Sequence, residues 1–163
     1  MALSEEQKKI IQKILRYYFS GKLKSKYRTE KRRGEQNYHP SATGNVKVGK
    51  GKGGRSSNQI ERFIERKDQS EQLASFLKLF IDEMEDVLSS LNEDNLKVLK
   101  MTYNNTNYTD SDICKELDEN VSKSTIRRRR KRTLKDIYDL INIDYYVDNP
   151  LKEIRDFFQR FLV

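Results

Sequence analysis

The sequence predicts an all-α fold, and three observations predict it. Apolar residues recur at spacings of three and four in one segment after another, which is the period of a helix with one buried face. Proline occurs only at positions 40 and 150, so long helices can run between them. Five of the seven glycines are gathered between 37 and 57, which leaves the flanking segments nearly free of helix breakers. The expected order is an N-terminal amphipathic helix in 1–20, a basic Gly-rich flexible arm over 21–56, and a long helix over 57–91. A helix-turn-helix unit over 92–141 follows, and then a terminal amphipathic helix within 142–163.

Ser4 with Gln7 makes a capping-box pattern, and Ile10, Ile11, Ile14, Leu15 and Tyr18 share a face, so the first helix spans 4–19. Gly21 ends it. The stretch from 37 to 57 has no apolar period, and its glycines, serines and Pro40 predict a loop. From about Ser57 the helical pattern resumes. Leu73, Leu77, Phe80, Met84, Val87 and Leu91 alternate in steps of four and three, a heptad seam widened by Phe76 and Leu88. That seam serves either the chain's own later helices or a homodimer. Asn92 caps the next helix, with Leu96, Leu99 and Tyr103 on one face. After "NNTNY", Thr109 caps a short helix with Asp110 and Asp112 in its first turn and Ile113 and Leu117 inward, and Cys114 is a small packed residue. Ser122 caps a third helix whose inward positions are Ile126, Thr133, Leu134, Ile137 and Ile141. Beyond Pro150, the residues Leu151, Ile154, Phe157, Phe158, Phe161 and Leu162 fall on one side of a last helix. That side packs on helix 73–91 or docks on a partner.

Composition narrows the function classes. In 163 residues, 35% are hydrophobic and 36% charged, which favours small helical units with tails over one large core. One cysteine, Cys114, and one histidine, His39, allow neither an intramolecular disulfide nor a metal-ligand pair, and fit a reducing compartment. No stretch approaches the roughly 18 apolar residues of a membrane span, and no signal-peptide pattern opens the chain. "GKGGRS" lacks the Ser or Thr that must follow Gly-Lys in a phosphate loop. The acids Asp82, Glu83, Glu85 and Asp86 read as the solvated face of a long helix. No enzyme activity and no cofactor is expected.

Charge is the positive signal. The chain carries +8, but eleven basic and two acidic residues fall in 20–56, and eight basic residues with no acid fall in 122–135. The rest is net acidic, so two islands concentrate the positive potential. The second island, "SKSTIRRRRKRTLK", lies in the N-terminal half of the helix capped by Ser122. A short helix, a tight turn and a longer basic helix on an apolar tripod form the helix-turn-helix pattern, whose second helix enters the major groove. Lys123, Ser124, Arg127, Arg128 and Lys131 face outward, Arg130 and Arg132 flank the groove, and Arg129 lies along the neighbouring helix. Arg127/Lys131 and Arg128/Arg132 are like-charge pairs four apart, each costing about 0.2–0.5 kcal/mol in a helix. A solvated basic tail has no reason to keep Ile126, Leu134 and Ile137 in helical register, and the same register argues against an unstructured import label. Double-stranded DNA is the partner this arrangement predicts. In the arm, Lys31, Arg32, Arg33, Lys50, Lys52 and Arg55 are candidate phosphate contacts, or charges that keep a linker solvated.

The segments "LSSLNEDNLKVLKMTY" (88–103) and "SDICKELDENVSKSTIRRRRKRTLKDI" (111–137), with "GKGGRSSNQIERFI" (51–64) more loosely, resemble the late-gene transcription activators of phages of Gram-positive bacteria, the RinA and ArpU type. The resemblance implies a helix-turn-helix like region 4 of sigma factors. It further implies an activator that recruits host RNA polymerase in the bacterial cytoplasm, and operator contacts by Ser124, Thr125, Arg127 and Arg128. The arginine run is heavier than in sigma-like recognition helices, and the apolar terminus 151–162 lies outside the family pattern. Two other readings share the same features. A small terminase subunit would use the seam to form a ring, and a polymerase-docking protein would use Phe157, Phe158 and Phe161 without touching DNA.

Overall fold

The computed structural model describes residues 1–37, 54–104, 107–117 and 121–160, with the side chains of 54–57 excepted. Its described residues form eight helices: α1 Glu5–Phe19, α2 Lys22–Glu35, α3 Gly54–Ser90, α4 Glu93–Tyr103, α5 Asp110–Leu117, α6 Lys123–Ile141, α7 Ile143–Val147 and α8 Lys152–Gln159. The all-α expectation therefore holds, and no described residue is in a strand.

α1 begins with a complete capping box. The Gln7 N–H donates to Ser4 Oγ at 3.1 Å, and the Ser4 N–H donates to Gln7 Oε1 at 2.9 Å. Its face of Ile10, Ile11, Ile14 and Leu15 is buried. Gly21 then adopts φ 76, a left-handed conformation that costs glycine little, and turns the chain directly into α2.

α2 corrects one expectation. Residues 22–35 are not a flexible arm; they form a helix that lies antiparallel along α3, with Lys24 paired to Glu85 at 2.8 Å near one end and Gly34 against Glu71 near the other. The buried face of α2 is Leu23, Glu30 and Gly34 with half-buried Tyr27, so it has no apolar stripe to read. Gly34 permits the close approach, because a Cβ there would lie 2.7 Å from Glu71 Cγ and 3.3 Å from the Glu71 backbone nitrogen. Glu30 is held in this interface by Lys26 Nζ at 2.7 Å and Arg33 Nη1 at 3.2 Å. Burial alone would raise the Glu30 pKa, but hydrogen bonds from Lys26 and Ser70 outweigh it and lower the pKa.

The main core gathers α1, α3, α4, α6, α7 and α8, with Leu23 and Tyr27 of α2 joining it. The α3 seam is spent here: Leu77, Phe80 and Met84 are fully buried, and Leu73, Val87 and Leu91 pack on the same cluster. Of its two expected uses, packing within the chain is the one the fold makes. The C-terminal helix resolves the same way. Phe157 and Phe158 are buried against Phe76, Phe80 and Tyr146, with ring centroids 5.3 Å apart for Phe80–Phe158 and 5.4 Å for the stacked Tyr146–Phe158 pair. Phe161 lies outside the described residues. Tyr146 belongs to α7, a five-residue helix entered through left-handed Asn142, and its hydroxyl donates to Glu83 at 2.5 Å.

A second, smaller cluster of Val98, Ile113 and Ile126 joins α4, α5 and α6, with Met101, Cys114, Leu117 and Val121 around it. It is the apolar anchor of the basic helix.

Candidate nucleic-acid interface

The site is the N-terminal half of α6, and local chemistry sets where it starts. Ser122 caps the helix by accepting the Thr125 N–H at 3.2 Å. Its hydroxyl also lies 2.9 Å from both Ser124 Oγ and Thr125 Oγ1, so these two candidate contacts share the cap network. Thr109 caps α5 in the same manner: its N–H donates to Asp112 Oδ2 at 2.9 Å, and Asp112 donates back to Thr109 Oγ1 at 3.3 Å. Ile126, Thr133, Leu134 and Ile137 are buried as their spacing predicts. Anchored along that line, α6 turns Lys123, Ser124, Arg127, Arg128, Lys131 and Arg132 to solvent, while Thr125 is half-buried.

Arg130 departs from expectation. Its side chain is only 19% exposed, and its Nη2 donates to Asp110 Oδ1 at 2.7 Å. Its Nε is buried with no hydrogen-bond partner. The other oxygen of the same carboxylate accepts Arg127 Nε at 3.0 Å, while the Arg127 side chain remains 68% exposed. The bond from Arg130 is the main cause holding the Asp110 pKa below its usual value; burial opposes it and the bond from Arg127 adds to it. In the sequence, Asp110 is fully accounted for as an acid in the first turn of α5, so nothing there signals this second role. Arg129 lies beside α4 as expected, its Nη1 4.0 Å from Asp94 Oδ2.

α1 supplies a second wall. A groove of about 530 Å³ runs between residues 1–3, Lys8 and Gln12 on one side and the basic face of α6 on the other, with Leu3 and Leu134 among its lining. Arg127, Arg128, Arg130, Lys131 and Arg132 all line it, so the fold brings five of the sequence-predicted cations to one place. No motif or period in the sequence links α1 to this site.

The arm residues are not brought there. Lys31 and Arg32 are exposed on α2, which packs along α3, and Arg33 is engaged with Glu30. Lys50, Lys52 and His39 lie outside the described residues, as does the Arg55 side chain. Among the described residues, no three His, Cys, Asp or Glu side chains gather as a metal site requires. Of Asp82, Glu83, Glu85 and Asp86 on α3, Glu83 accepts from Tyr146 and Glu85 pairs with Lys24. No described helix is long and apolar enough to cross a membrane.

Comparison with family models, with curated proteins and with solved structures finds no match for this chain.

Proposed function

We propose that this protein binds double-stranded DNA through the N-terminal half of α6, with α5 and α6 acting as a helix-turn-helix and α6 as its recognition helix. One observation carries the reading: eight basic residues and no acid lie between 122 and 135, on a helix whose opposite face is anchored by Ile126, Leu134 and Ile137. Like charges four residues apart on an anchored helix raise the local potential, and phosphate groups relieve that repulsion. In this reading Lys123, Arg128, Lys131 and Arg132 contact phosphates and base edges, with Ser124 and Thr125 at the helix start. Exposed Lys31 and Arg32 add a sequence-blind contact elsewhere on the chain.

For the biological setting we propose regulation of transcription, as a phage late-gene activator that recruits host RNA polymerase in the bacterial cytoplasm, on the likeness of residues 88–103 and 111–137 to such activators alone. Two observations among the described residues weigh against the alternatives. A ring-forming terminase subunit needs an available seam, and Leu77, Phe80 and Met84 are core. Docking through the C-terminal phenylalanines needs them exposed, and Phe157 and Phe158 are buried.

The test is selection from a pool of random-sequence duplexes. Enrichment of one motif, at affinities about 10³-fold or more above the unselected pool, is the expected result for a regulator. Retention of the pool without enrichment would reduce α6 to a polyanion grip.

A further inference from the structure

We propose that Asp110 is a positioning residue for the DNA interface, dividing its arginines into one that locks α6 to α5 and one that it aims at the phosphate backbone. The inference rests on the DNA-binding reading above.

Three features of the geometry carry it. First, a single carboxylate serves both arginines, one oxygen each, at 2.7 Å to Arg130 and 3.0 Å to Arg127. The two lie three residues apart on α6 and so share a helix face. Second, their surroundings differ. Arg130 is 19% exposed with a buried Nε, whereas Arg127 is 68% exposed. Third, Arg127 is gripped by Nε. A guanidinium has five N–H donors in a rigid plane, so holding it through Nε leaves the four donors on Nη1 and Nη2 for another acceptor. A phosphate accepts such a fork through two oxygens. Arg130 is therefore a structural residue despite its place in the basic run, and Arg127 is a contact whose direction is set from α5.

Two roles for Asp110 predict opposite signs. If the carboxylate competes with phosphate for Arg127, then Asp110→Asn strengthens DNA binding, and the added net positive charge pushes the same way. If it positions Arg127, the variant weakens binding by as much as losing one phosphate contact. At 0.1 M salt that is about 8-fold, with the slope of log K against log salt falling by about 0.9 in magnitude.

The experiment measures binding of the full chain to a labelled duplex by fluorescence anisotropy across a salt series, for wild type, Asp110→Asn, Arg127→Ala and the double variant. The expected result is a similar loss in each single variant and no further loss in the double variant. Tighter binding by Asp110→Asn, or additive losses, would overturn the positioning role, since additivity marks general loosening of α5 on α6. Arg127→Lys on the exposed side carries the test if Asp110→Asn does not fold. Lysine keeps the charge but cannot hold Asp110 and present a fork together, so an Arg127→Lys variant that binds as wild type would also overturn it. A wild-type chain that binds no duplex refutes the DNA reading itself, a different outcome from wild-type binding with the wrong sign in the variants.

Discussion

Replacing Arg128 and Arg132 by alanine isolates the charge on the solvent face of α6 from everything that holds the helix in place. Both side chains are exposed and neither forms part of the Asp110 clamp. They are a like-charge pair four residues apart, so their removal relieves about 0.2–0.5 kcal/mol of repulsion and introduces the best helix former. Thermal stability is therefore expected to hold or rise slightly. DNA binding is expected to move the other way. Each phosphate contact contributes a slope of about 0.9 to the dependence of log K on log salt, which at 0.1 M is a factor of about 8. Losing two contacts should lower affinity about 60-fold at 0.1 M salt and reduce the slope by about 1.8. Anisotropy titrations between 0.05 and 0.4 M salt, alongside a circular dichroism melt, measure both quantities. An unchanged slope in a folded variant would refute the reasoning, because it would mean that duplex DNA does not touch this face.

Other expectations concern what holds the site in place. Arg130→Ala should cost about 1–3 kcal/mol in urea denaturation, because a partly buried charged hydrogen bond is lost, whereas Arg127→Ala should cost under about 0.5 kcal/mol at its exposed position. Phe158→Ala should cost about 3–5 kcal/mol, since that ring is fully buried among Phe76, Phe80 and Tyr146; a loss below 1 kcal/mol would mean α8 is not docked there. Gly34→Val should destabilise the fold through the 2.7 and 3.3 Å contacts a Cβ would make with Glu71, while an equally bulky change at exposed Glu35 should be nearly silent. Asp110 and Glu30 both have folded-state pKa values below their ordinary ones, so the stability they contribute is present above about pH 4 and lost as pH falls through the folded values. Denaturation midpoints at pH 7 and pH 3 should therefore differ less in Glu30→Gln than in wild type.

Where a helix has a cap and an apolar stripe, the sequence is enough to find it. α1, α4, α5 and α6 all have both, and Ser4, Asn92, Thr109 and Ser122 each cap as expected. α2 was hidden because its buried face is a leucine, a tyrosine, a glutamate and a glycine, and helix against helix contact there depends on Gly34 being small and Glu30 being paired. The α3 stripe was legible as buried, but a stripe does not name its partner. Only the fold shows that Phe157, Phe158 and Tyr146 fill that place. The same limit applied to the arginine run. Helical spacing separated Ile126 and Leu134 from Arg128 and Lys131, yet Arg130 is set apart from Arg132 by a carboxylate twenty positions away, which no local period encodes.

Whether α6 reads a promoter is tested most directly by footprinting the protein across the genome of the cell it acts in, with the Arg128→Ala/Arg132→Ala variant run in parallel. Discrete protection upstream of a transcription start, abolished in the variant, is the expected result. Protection confined to a packaging start site, or no discrete protection by the wild-type protein, would contradict it.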